Sequence, residues 1–116
     1  AKRKYWINRK GLPDALGGWV RALEASTAAI LGKFDADKAA IIFYPDAPAY
    51  FKEILQGLNP QTAKRLRVDQ MSVLLEQLVQ QMLLAEGEAP TVEKVMTLHQ
   101  TVGKLSTLAV GAGYEH

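Results

Sequence analysis

Apolar residues recur along this chain at spacings of three and four, and that period builds helices and excludes a sheet of alternating strands. Leu16, Trp19, Val20, Leu23, Thr27, Ile30 and Leu31 draw one stripe, which predicts a helix from about Pro13 to Leu31 with Gly32 as its stop. Pro13 suits the first turn, where its missing N–H has no partner to lose. Met71, Leu74, Leu75, Leu78, Met82 and Ala85 predict a second long helix, about Gln70 to Glu86, capped by Asp69. A last helix is expected from Thr91 to about Val110. Val92, Val95, Met96, His99, Val102, Leu105 and Ala109 trace one of its faces, while Leu98, Leu105 and Leu108 lie toward another. An apolar arc that wide belongs to a helix buried on two sides, or to one that also meets another chain.

Shorter elements fill the middle. Asp35 or Asp37 can cap a helix through Tyr44, although Ile41, Ile42 and Phe43 also suit a buried strand, and so short a run leaves both open. Pro45 ends it either way. Asp46 with Pro48 opens a helix carrying Phe51, Ile54, Leu55 and Leu58 and closing at Gly57; Asn59 with Pro60 opens another through about Leu66. Gly87 to Pro90 reads as a turn. The paired Gly17 and Gly18 suggest a tight helix start or a neighbouring backbone brought close to Trp19. Residues 1–12 show no clear period, which makes them an extended N-terminal arm or a short strand whose Tyr5, Trp6 and Ile7 pack onto the body or a partner. The fold expected is all-α, a compact bundle of five or six helices in one domain spanning 1–116.

A 116-residue chain with 48% hydrophobic and 22% charged residues is proportioned like a folded globule. It has no cysteine, so neither disulfides nor cysteine-ligated metal can contribute, and a cytoplasmic location is the default expectation. Its longest apolar runs, such as Ala39 to Tyr44, fall far short of the ~20 residues that span a bilayer, and no membrane association is expected. Charge is uneven. Lys2, Arg3, Lys4, Arg9 and Lys10 put five positive charges in the first ten residues, whereas the stretch from Phe34 onward carries seven positive against ten negative side chains.

Catalytic chemistry finds little to work with. A nucleophile needs a base beside it, but the histidines are His99, inside a helical stripe, and His116, and Ser26, Ser72 and Ser106 lie scattered on helices. Asp35 with Asp37, and Glu86 with Glu88, read as a helix cap and a solvated loop. Glu93 and His99, six apart, fall on different sides of a helix, and no HExxH or glycine-rich phosphate loop occurs. No enzyme, cofactor or metal is expected.

Binding remains. From Asp37 to Leu58 the chain offers Ile41, then Pro45, Asp46 and Ala47, then Phe51 and Ile54, in the order of a helix, a tight break and a second helix. Those 22 residues resemble the helix-turn-helix of small phage-type regulators, without the usual turn glycine, and an ordinary helical corner fits them equally. The resemblance implies a DNA-binding repressor. Ala49, Lys52, Glu53 and Gln56 would then face base edges, Lys64, Arg65 and Arg67 would grip phosphate, and Lys2, Arg3 and Lys4 would reach a groove.

The reading preferred over it is a small intracellular regulator or adaptor that acts by protein–protein contact, of the antiactivator type that sequesters a larger regulatory protein. Trp6, Tyr44, Tyr50 and Phe51 would supply the aromatic anchors. Leu98 and Leu105 would serve a homodimer built through the C-terminal helices, where surplus apolar area would drive association by several kcal/mol at about 25 cal/mol per Å².

Overall fold

In the computed structural model, residues 14–65 and 67–114 are described, and they form helices with no strand among them: α1 (Asp14–Gly32), α2 (Ala36–Ile42), α3 (Asp46–Gln56), α4 (Pro60–Arg65), α5 (Val68–Met82) and α6 (Val92–Tyr114). The chain is an all-α bundle. Local chemistry explains most boundaries. The Asp35 carboxylate accepts from the backbone N–H groups of Asp37 (2.9 Å) and Lys38 (3.2 Å), so α2 is a capped helix and not a strand. Asn59 accepts from Thr62 N–H (2.8 Å) to start α4, and Thr91 accepts from Lys94 N–H (3.2 Å) to start α6. Gly87, at φ +78°, makes the reversal between α5 and α6.

Four boundaries differ from expectation, the first being α2, which closes at Ile42 with Phe43 as its C-cap instead of running through Tyr44. α5 begins at Val68, so Asp69 lies in its first turn instead of capping it, and the N-cap is Arg67, in the left-handed region at φ 58° and ψ 44°. The Arg67 carbonyl accepts from both Gln70 and Met71 (3.1 Å each) and so begins the helix's own ladder, with no side-chain cap. α5 also ends earlier, at Met82, because Leu83 turns extended and leaves Ala85 outside the helix. α6 runs through Gly103 and on past Val110 to Tyr114.

α6 packs on α1 along one side and on α5 along the other, and α5 also carries α3. That arrangement accounts for the wide apolar arc. Val95, Leu98, Val102 and Leu105 of α6 are buried with Leu16, Val20, Leu23 and Ile30 of α1 and with Met71, Leu75, Leu78 and Met82 of α5. Leu98 and Leu105 are 0% exposed within the single chain, which corrects their assignment to a surface that a second copy could reach. Among the residues of α6 whose side chains are described, the exposed large apolar ones are Val92 and Met96.

One polar tie crosses this core. Thr27 Oγ1 of α1, fully buried, lies 3.0 Å from the Glu24 carbonyl oxygen and 2.6 Å from Nδ1 of His99 on α6, so a hydrogen bond joins the threonine and histidine across the two helices. Burial of the threonine is thereby compatible with the rule that interior polar groups are paired. Among the described residues no backbone lies against the glycine pair of α1, where a Cβ added at Gly17 or Gly18 would meet nothing within 4 Å.

Candidate functional site

The α2–α3 corner gathers exposed apolar side chains. α2 turns Ala39 inward, and Phe43 after it is also buried, which leaves Ile41 (78% exposed) and Tyr44 (58%) on the outside. Phe43 N–H bonds the Ala40 carbonyl (3.3 Å), and Pro45 (φ −66°) then turns the chain into α3. α3 buries Pro48, Phe51, Ile54 and Leu55 on one face and presents Tyr50 (48% exposed) on the other. The rings form a chain. Trp19 of α1 lies 5.2 Å from Phe51 between centroids, and Phe51 meets Tyr50 edge-on at 5.3 Å and 67°. Tyr50 is therefore braced from beneath by core aromatics.

Beside this chain of rings, Trp19, Ala22, Leu23 and Ser26 of α1 face Ile41, Ile42, Tyr44 and Ala47 across a cleft of about 210 Å³, with Met82 also lining it. Its lining is largely apolar. Exposed apolar side chains thus cluster around a concavity, on helices whose other faces are core. A second recess, about 280 Å³, lies where the end of α5 meets the start of α6 and is lined by Gln80, Gln81, Leu83, Glu93, Lys94 and Thr97. Its lining residues are mostly polar types, and Lys94 is already engaged by Glu88.

Of the anchors expected from sequence, Tyr44 and Tyr50 are both exposed, Tyr44 lining the cleft and Tyr50 on α3, while Phe51 is only 6% exposed. Phe51 is corrected from anchor to core residue, because its place in the i, i+3, i+4 stripe of α3 turns it inward. Trp6, Lys2, Arg3 and Lys4 lie outside the described residues. Ile41 was missed, since a residue inside a continuous apolar run gives no sign of which way it points.

The residues offered to nucleic acid are less well placed. Lys52 Nζ donates to Glu76 Oε1 of α5 at 2.8 Å, and Gln80 donates to the other carboxylate oxygen at 2.8 Å. The Lys52 bond, followed by that of Gln80, holds the Glu76 carboxyl below the ordinary glutamate range. Lys52 is spent on joining α3 to α5. Beside it, Ala49, Glu53 and Gln56 are exposed and supply no other cation. α2 rests mainly on α1 and α3 on α5, so the two helices of the corner are held by different partners. Lys64 and Arg67 are exposed at the α4–α5 corner, linked through Arg67 N–H and the Lys64 carbonyl (3.2 Å); the side chain of Arg65 lies outside the described residues.

Among the described residues no group of three or more histidine, aspartate or glutamate side chains could hold a metal ion, and no helix is long and apolar enough to cross a membrane. Compared with known protein families, with curated proteins and with solved structures, the chain finds no match.

Proposed function

We propose that the protein is a small intracellular regulator or adaptor that acts by binding another protein at the α2–α3 corner, and that it does so by occluding part of a larger regulatory protein. The observation that carries this reading is the exposed pair Ile41 and Tyr44 lining a largely apolar cleft, with Tyr50 exposed on the adjoining helix α3. Large aromatic side chains lose little conformational entropy on docking and commonly dominate interface energies. Here Tyr50 is held in place by Phe51, so part of the ordering cost of binding is met before the partner arrives. An apolar side chain of the partner would enter the cleft while the tyrosine hydroxyls bond at its rim.

Nucleic acid is the second reading, and the exposed Lys64 and Arg67 favour it. The two differ in their response to salt: a protein gripping several phosphates loses orders of magnitude in affinity between about 50 and 200 mM, whereas an apolar contact barely responds. The deciding experiment is affinity capture of the tagged chain from its native lysate with and without nuclease. A near-stoichiometric protein that survives nuclease and 200 mM salt is the expected result. Recovery of nuclease-sensitive nucleic acid with no such protein would overturn it in favour of the repressor reading.

A further inference from the structure

We propose that the cleft between α1 and α2 is the seat of this chain's own Tyr5, Trp6 and Ile7. Chemistry, charge and reach each support that occupant. The cleft has apolar walls in Trp19, Leu23 and Ile42, and its rim residues Ile41 and Tyr44 stand 78% and 58% exposed. Tyr5, Trp6 and Ile7 are three consecutive side chains of matching character. Their flanks are Lys2, Arg3, Lys4, Arg9 and Lys10, with no acidic residue in 1–12, whereas residues 34–51 carry Asp35, Asp37 and Asp46 against the single cation Lys38. A net basic segment thus meets a net acidic stretch of chain, bounded by Lys33 and by a Lys52 already paired with Glu76, and that complementarity favours docking there.

The lengths agree as well. At ~1.5 Å per helical residue, the α1 wall of the cleft from Trp19 to Ser26 lies roughly 8–18 Å along the helix from Asp14. Trp6 is eight residues from Asp14, a span of up to about 26 Å when extended, enough to fold back along α1 to the far end of the cleft. Gly11 and Pro13, immediately before α1, are the residue types that reverse a chain in so few steps. The contact is a property of the isolated chain and requires no partner; taken together with the proposed function, it places segment and partner in competition for one cleft.

The absence of cysteine makes a direct test available. A nitroxide attached to the full chain through Asn8→Cys should broaden the NMR signals of Ile41, Ile42, Tyr44 and Ala47, and the broadening should disappear when Tyr5 and Trp6 are both replaced by Ser in the same labelled chain. Neither change touches the core described above. An isotope-labelled chain without the nitroxide, mixed with a nitroxide-bearing unlabelled chain, should show no broadening at those positions. Broadening limited to the first turns of α1, or persisting in the double-serine variant, would overturn the proposal. Broadening in the mixed sample would also overturn it, by placing the segment on a second copy. Loss of partner capture in the proposed-function experiment would leave these signals unaffected, so the two readings fail separately.

Discussion

Leu98→Ala is the perturbation that most sharply separates a core helix from an interface helix. Leu98 is fully buried on α6 between α1 and α5. Replacing it removes three carbon atoms from the interior, worth about 2.4 kcal/mol at ~0.8 kcal/mol per buried CH₂ group. The space left behind adds to this, because neighbours such as Leu75 and Val102, also buried, relax only partly. The expected loss is about 3–4 kcal/mol, within the range for large-to-small core changes. That is a large fraction of the roughly 5–15 kcal/mol a domain possesses. Urea unfolding followed by helical circular dichroism should show the midpoint falling by more than about 1 M for a slope of ~1–3 kcal/mol per M. Light scattering at low micromolar concentration should show the same mass for both proteins. A loss below about 1 kcal/mol together with a fall in mass would refute the reasoning and make Leu98 an interface residue.

Thr27→Val, nearly the same in volume, should cost about 1 kcal/mol by removing the hydrogen-bond partner of His99 Nδ1, and unchanged stability would mean water replaces it without loss. Arg67→Gly should stabilise the fold by about 0.5–1 kcal/mol, since glycine adopts φ 58° without a side-chain clash; destabilisation in thermal melts would show that the arginine side chain makes a compensating contact. The Glu76 carboxyl titrates below its ordinary value because Lys52, then Gln80, stabilise its charged form. Its contribution is therefore present above the unfolded glutamate value and is lost as pH falls through the lowered, folded one. Lys52→Met should move the Glu76 carbon-13 titration upward, and an unmoved curve would remove Lys52 as the cause.

Much of the fold was legible because helices repeat their chemistry every turn. The α1 stripe Leu16, Val20, Leu23, Thr27 and Ile30 is buried as its spacing predicts, and the Asp35 and Asn59 caps stand where their side chains can reach N–H groups. Legibility failed where the deciding contact is remote in sequence. Whether the wide arc of α6 meets its own chain or another depends on α1 and α5 arriving from both sides, which periodicity within α6 cannot register. Lys52 looked free because Glu76 is 24 residues away. Neighbours Tyr50 and Phe51 looked alike as anchors, yet a helix turns adjacent residues about 100° apart, and one became surface and the other core. Arg67 gave no signal at all, since its left-handed backbone follows from how α4 joins α5 and not from any preference of arginine.

The corner's role as a protein-binding surface is tested most directly by capturing partners with the wild-type chain and with a Tyr44→Ser, Tyr50→Ser variant in parallel, at 200 mM salt after nuclease treatment. Both tyrosines are exposed, so their replacement should leave helical circular dichroism and the melting curve nearly unchanged. The account predicts a protein retained by the wild type and lost from the variant. Equal capture by both folded proteins would contradict it and move the binding surface away from the α2–α3 corner.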